Sequence, residues 1–295
     1  MRNNLCIAGK RMGFTLVELL IAVVASIVVA FIGLVLIDAS RPRCGGRQIK
    51  DSTQVRGIHQ GLVMWAQNSK DQYPVPSDYD KMNTTLQVPA AEKDTTSNII
   101  SILIYNGFFG PELCVSPAES NPAIKQMANY QYSNPTSAAS PGTALWDPAF
   151  NADFTAATGG HFSYAHLMPA GERRADWSNT FSATTAVVSN RGPQVQSVTY
   201  SAAHVPMPTF RANSNTLAIH GGRTTWEGNV VYNDNHVNFE TRMAPDTLTF
   251  KDSANADWGD CLFFDEPEDV SQRNALLSIW TRSGATPAEY KAIWD

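Results

Sequence analysis

Six histidines, His59, His161, His166, His204, His220 and His236, are the first residues to test for acid–base or metal chemistry. Their spacings form no compact zinc pattern. His161 and His166 lie five apart, on opposite faces if the segment is a strand, and His236 beside Asp234 reads as turn chemistry rather than a general-base pair. Nucleophilic catalysis has no foothold in the motifs. G-x-S-x-G, H-E-x-x-H and G-x-x-x-x-G-K-[ST] are all absent, and Gly160-His161-Phe162-Ser163 lacks the spacing of a nucleophile elbow. Asp257, Asp260, Asp265 and Glu266 surround Trp258-Gly259 and could offer hard oxygen ligands to calcium, although the D-x-[DN]-x-[DN]-G spacing of a calcium loop does not occur. Trp177 and Trp226 stand in loop-like contexts where an aromatic face could stack on a sugar; core packing explains tryptophans equally well. The chain is therefore expected to be no enzyme and to hold no obligatory cofactor.

Charge narrows the partners. Residues 1–70 carry nine Lys+Arg and three Asp+Glu, whereas residues 71–295 carry thirteen and twenty-four. A part with a net charge of −11 lacks the basic footprint that displaces counterions from phosphates, so nucleic acid is not an expected partner. With 43% hydrophobic and 17% charged residues, the 295-residue chain has enough apolar material for a folded core.

The elements that must position these residues follow from periodicity. Ile49, Val55, Ile58, Leu62, Trp65 and Ala66 recur near 3.6, with Lys50, Asp51, Arg56 and Lys70 at polar positions. An amphipathic helix is thus predicted to about Asn68, loosened at its start by Pro42 and Gly45-Gly46. Residues 95–107 combine Thr and Ser caps, an apolar face and a terminal glycine, which predicts a short helix. Residues 133–160 lack periodicity and read as a long surface loop. Strands are predicted at residues 162–167, 183–190 and 216–220, and a hairpin at 230–240 turning at Asn233-Asp234-Asn235. Thr286-Pro287-Ala288-Glu289 carries capping-box chemistry and predicts a terminal helix to Ile293.

Residues 14–37, FTLVELLIAVVASIVVAFIGLVLI, contain one ionisable side chain, Glu18. As a helix they would extend roughly 36 Å, enough for a bilayer core and too long for the apolar region of an ordinary signal peptide. A carboxylate inside such a run costs about 2.5–3.5 kcal/mol on insertion scales and demands a partner. Basic residues flank the run on both sides, Arg2, Lys10 and Arg11 before it and Arg41, Arg43, Arg47 and Lys50 after it, so charge alone does not orient it.

The string KRMGFTLVELLIAVV resembles the leader and helix start of type IV pilins and of the pseudopilins of type II secretion: a basic leader, Gly at the cut, Phe first, Glu four residues on. The resemblance implies cleavage after Gly13 by a prepilin peptidase, N-methylation of Phe14, and a cytoplasmic N-terminus. It also implies a role for Glu18 in assembly, paired with the terminal ammonium of a neighbouring subunit. Phe14 and Glu18 would share one helical face. The segments DSTQVRGIHQGLVMWAQNSKDQYPVPS and GNVVYNDNHVNFE are similar to regions of large pseudopilin-like proteins of planctomycete-type bacteria, with Asn235 where those proteins often have glycine. LCVSPAE, which holds Cys114, is similar to their CPSD element, with Val115 inserted and Pro117 displaced.

The expectation is then an α+β protein, a long N-terminal transmembrane and amphipathic helix packed on a β-rich, pilin-like head with an antiparallel sheet. Its parts would be a leader (1–13), a filament-core helix (14–37), a kinked amphipathic continuation (38–70) and the head (71–295). The expected function is that of a structural subunit of a type II secretion pseudopilus or a type IV pilus-like filament. Its partners would be prepilin peptidase, the inner-membrane assembly machinery, other pilin or pseudopilin subunits and the lipid bilayer. It would sit as a single-pass inner-membrane protein with a periplasmic head before entering a periplasmic or surface filament. The alternative is a membrane-tethered binding module that recognises a glycan or an exported substrate. In an oxidising periplasm, the mature chain would keep Cys44, Cys114 and Cys261. Cys114 with Cys261 is one candidate bridge, and sequence does not choose the pairing.

Overall fold

The computed structural model describes residues 20, 21, 23 and 42–295. Gly13, Phe14 and Glu18, the expected leader and most of the apolar run lie outside the described residues. Leu20, Ile21 and Val23 are helical and exposed.

Helix α1 (Pro42–Ala66) includes Gly45 and Gly46, so the backbone is helical where a break was expected. Along its length from Arg47, every third or fourth residue turns inward: Asp51, Val55, Ile58, His59, Leu62 and Ala66 are at most 1% exposed. Burying Val55, Ile58 and Leu62 contributes on the order of 1.5–3 kcal/mol each. Two assignments of the periodicity reverse. Ile49 is 71% exposed, and Asp51, read as an outward polar position, is fully buried. On the same helix Gly61 admits a close neighbour: a Cβ there would stand 2.7 Å from Cδ1 of Phe109, so the absence of a side chain lets that ring pack against the helix.

Helix α1 also carries the correction to the expected fold class. Among the described residues no helix is long and apolar enough to cross a membrane. The physical reason is the composition of α1, the longest of them, whose sequence includes Arg43, Arg47, Lys50, Asp51 and Arg56.

Two shorter helices follow, α2 (Pro76–Tyr79) and α3 (Thr96–Tyr105). Helix α3 matches the sequence expectation, and its end is closed by Phe108 N–H donating to Leu103 O at 3.1 Å and Gly107 N–H to Ile104 O at 3.0 Å, the two bonds of a Schellman motif.

The head is organised by a six-stranded sheet in the order β10-β9-β1-β2-β5-β6, antiparallel throughout. Its strands are β1 (Tyr164–Leu167), β2 (Ala186–Asn190), β5 (Gly228–Tyr232), β6 (Val237–Glu240), β9 (Leu277–Arg282) and β10 (Lys291–Ile293). Every residue of β1, β2 and β5 is buried, so both faces of the sheet centre are covered. Two ribbons accompany it, β3 (Val195–Tyr200) with β4 (Pro206–Phe210), and β7 (Thr249–Lys251) with β8 (Asp257–Gly259).

The structure departs from expectation in three further places. Residues 215–218 form a 3₁₀ turn rather than a strand, because Ser214 Oγ accepts from Thr216 N–H and meets its hydroxyl at 2.6 Å. The capping box at Thr286 and Glu289 forms, but it opens a single 3₁₀ turn, after which the chain pairs with β9 as β10 instead of continuing as helix. Residues 133–160 are irregular as expected yet are not merely surface, since Trp146, Phe150 and Ala152 are at most 1% exposed.

Candidate functional site

Polar chemistry converges where the inward face of α1 meets the sheet. Asp51 is its centre. One carboxylate oxygen accepts from the Tyr164 hydroxyl of β1 at 3.0 Å and from Ser116 Oγ. The other accepts from Asn229 Nδ2 of β5 at 2.6 Å and faces His220 Nε2 at 2.9 Å. Burial pushes this carboxyl up, but the hydrogen bonds from His220 and Ser116, the charge on His220 and the hydrogen bond from Asn229 outweigh it and hold it below the usual carboxylate range. Four partners gathered from residues 116, 164, 220 and 229 thus fasten one position of α1 to the head.

Serine, histidine and aspartate meet here, so the arrangement must be judged as a catalytic triad. In a triad the imidazole lies between the hydroxyl and the carboxylate, so that it can take the hydroxyl proton. Here the carboxylate lies between: Ser116 donates directly to Asp51, and His220 contacts the other oxygen. Ser116 Oγ also accepts from Ala118 N–H at 3.1 Å, and Ser116 and Asp51 are 4% and 0% exposed. The geometry binds and orients; it does not prime a nucleophile.

Two turns further along α1, His59 forms a second tie. Nδ1 meets Asn235 Oδ1 at 3.1 Å and Nε2 meets the Tyr73 hydroxyl at 3.1 Å; Tyr73 donates in turn to Asn233 Oδ1 at 2.8 Å. Asn233 Nδ2 closes the network on the carbonyls of Asp176 and Ser178. The β5–β6 hairpin is therefore more than a connection. Its turn residue Asn235 holds the helix directly at His59, and Asn233 reaches the same histidine through the Tyr73 hydroxyl; Asn235 takes the left-handed conformation (φ 69°) expected of a glycine substitute. Burial lowers the His59 pKa, against the opposing influence of Asn235 and Asp234. His236 caps the hairpin with Nδ1 at 2.5 Å from Asp234 Oδ1 and its ring stacked on Tyr232.

His166 on β1 is buried with a complete set of partners. Trp280 N–H donates to Thr96 Oγ1 at 2.7 Å, the Thr96 hydroxyl meets Nε2 at 2.9 Å, and Nδ1–H donates to Leu167 O at 2.8 Å. Burial brings its pKa down to about 4.

The acidic residues expected around a calcium ion do not converge. Asp257 pairs with Lys251 at 2.7 Å and Asp265 with Arg173 at 2.5 Å, both carboxylates largely exposed, whereas Asp260 and Glu266 are buried together. Asp260 accepts from Ala275 N–H at 2.7 Å; Glu266 accepts from Cys261 N–H at 2.9 Å and Asn274 Nδ2 at 2.6 Å. Burial raises both carboxyls, reinforced at Asp260 by the charge of Asp269 and at Glu266 by the charge of Asp260. Among the described residues no group of three or more His, Cys, Asp or Glu could hold a metal ion.

The bridge expected as one pairing of Cys114 and Cys261 is corrected as well. Both are free, fully buried thiols, and burial raises the pKa of each. Each is fixed by its own surroundings, the carbonyl of Cys114 accepting from Ser163 N–H and the amide of Cys261 donating to Glu266. Trp177 and Trp226 are each 1% exposed and spend their indole N–H groups on Pro74 O and Arg191 O, so neither offers a face to a sugar.

Sequence reasoning missed the buried ion pairs. Lys93 donates to Asp80 at 2.8 Å with both side chains fully buried. Arg191 joins Glu119 at 2.6 Å and Asp295 at 2.8 Å while lying 4.7 Å from the Phe154 ring centroid. Arg191 meets partners 72 and 104 residues away, and no local pattern announces them.

No family model matches the chain, and no curated protein or solved structure does.

Proposed function

We propose that the chain is a prepilin-like structural subunit, cut after Gly13 by a prepilin peptidase, methylated on Phe14, and assembled into a type II secretion pseudopilus or type IV pilus-like filament. The observation that carries this reading is the string KRMGFTLVELLIAVV, in which a basic leader, Gly13, Phe14 and Glu18 stand in the order and spacing of prepilins. An isolated carboxylate in an apolar run needs a counter-charge, and the ammonium created by cleavage at Phe14 of a neighbouring subunit supplies one. The apolar run would hold the subunit in the inner membrane, with the head on the periplasmic side, until the assembly machinery adds it to other subunits.

The two ties on α1 support the same reading. A filament subunit transmits load between its N-terminal segment and its head, and from Arg47 onward the helix is fastened to the sheet by Asp51 and His59 as well as by apolar contact. Those buried polar groups are spent on one another, which suits a scaffold.

The test is the Glu18→Ala variant, expressed with its native peptidase and assembly machinery. Cleavage should proceed normally while incorporation into filaments is lost. Incorporation at the wild-type level would overturn the proposal.

A further inference from the structure

A cleft unrelated to the ties on α1 opens between α2, the turn at residues 90–94, residues 169–174 and the segment after β9. Its volume is about 350 Å³, within the range of small-molecule sites. Four ionisable side chains line it, Asp78, Asp94, Arg174 and Tyr290, with the Ser77 hydroxyl beside them, and the rest of the walls are mostly alanine and glycine. Gly171 keeps one wall bare. Its φ is +58°, and a Cβ there would stand 2.6 Å from Cγ of Pro287, so no larger residue fits without moving that ring.

The charges do not cancel. Arg174 donates to Asp78 at 2.6 Å, which pairs those two. Asp94 is left over. It is 5% exposed, and its hydrogen-bond donors are the amide and hydroxyl of a single residue, Ser77, at 2.7 and 2.8 Å. A carboxylate has about four lone-pair sites, so capacity is left for a ligand. Burial holds this carboxyl above its usual range despite the Ser77 hydrogen bonds and the charge of Arg174, consistent with an anion short of positive partners. Tyr290, set edge-on to Trp280 with centroids 6.0 Å apart, places an amphipathic ring on the cleft; burial raises its pKa, and the nearby Asp94 charge adds to that rise.

We propose that this cleft binds the terminal ammonium of an alkylamine, with Asp94 as its counter-ion, Tyr290 against the alkyl stem and the Ala and Gly walls leaving room for a chain of several carbons. One uncompensated carboxylate matches one monovalent cation. A guanidinium is the poorer fit, because its planar fork wants both carboxylate oxygens free along one edge and Ser77 already occupies a site on each; an ammonium with three rotatable donors needs only one. The ligand is either a free amine or a lysine side chain of a protein partner, since both present the same group.

The test is an amide ¹H–¹⁵N titration of the full chain in detergent micelles with n-butylammonium chloride, against tetramethylammonium chloride at equal ionic strength. Butylammonium should give saturable shifts at Gly171, Gly284 and Ala285 with a Kd on the order of millimolar, and tetramethylammonium, which has no N–H donor, should give none. Nα-acetyl-lysine N-methylamide forms the second arm: binding tighter than butylammonium assigns the site to a lysine side chain, and binding by butylammonium alone assigns it to free amines. Asp94→Asn should abolish the shifts. Ala285→Leu, at an exposed position away from the carboxylate, should fill the cleft and weaken binding at least tenfold. Absence of saturable shifts, equal shifts with tetramethylammonium, or unchanged affinity in either variant would overturn the proposal.

Discussion

Asn229 Nδ2 on β5 stands 2.6 Å from Oδ2 of Asp51 on α1, a bond that crosses 178 residues of sequence to join the helix to an interior strand of the sheet. Removing the carboxylate leaves Asn229, Tyr164, Ser116 and His220 facing a buried void. Asp51→Ala should therefore cost about 3–5 kcal/mol in urea unfolding, whereas Arg56→Ala, at an exposed position of the same helix, should change stability by no more than about 0.5 kcal/mol. Equal effects would mean that the tie contributes nothing.

Acid should weaken the fold through histidine as well as through carboxylates. His166 has a folded pKa of about 4, below the 6.5 of the unfolded chain, so the unfolded state binds the extra proton. This contribution is complete above pH 6.5 and is lost as the pH falls toward 4. Wild type should lose roughly 2 kcal/mol between pH 7 and pH 5 from this group, and His59, shifted in the same direction, adds to the loss. His166→Gln should be less stable at pH 7 but show a flatter pH dependence in denaturant unfolding between pH 7 and 5.

The buried pair Asp260 and Glu266 works in the opposite direction. Both carboxyls are raised, so the folded state holds a proton that the unfolded chain releases, and stability falls as the pH rises above the ordinary carboxylate range. Asp260 Oδ1 is buried without a hydrogen-bond partner. Asp260→Asn can keep an oxygen for Ala275 N–H and place an NH₂ where that orphan stands, so it should raise the melting temperature at pH 9 more than at pH 5. A loss of stability at pH 9 would contradict the assignment.

Cys114 and Cys261 should behave as hidden thiols. Iodoacetamide should label neither in the native protein and both in denaturant, and peptide mapping of unreduced protein should recover them unlinked. A peptide carrying a Cys114–Cys261 bridge would refute this.

What was legible in the sequence was what local chemistry decides. The β5–β6 hairpin, helix α3 and the capping box at Thr286 all rest on residues within a few positions of one another, and each forms. The failures share a cause: a distant partner decides. Residues 291–293 leave helix for strand because β9 offers a free edge, and Asp51 turns inward because its partners lie 65 to 178 residues on. The turn asparagines were legible as a turn, but nothing local in them discloses a grip on His59. Asp260 and Glu266 could be flagged as acidic residues close in sequence; that they, and not Asp257 or Asp265, become neighbours depends on how the chain after β8 folds back under Arg173 and Asn274.

Processing as a prepilin would leave its mark at the N-terminus of the chain. Intact-mass and N-terminal peptide mass spectrometry of protein isolated from its native membrane should find a mature chain that begins with N-methylated Phe14. A chain that still begins at Met1 would contradict it.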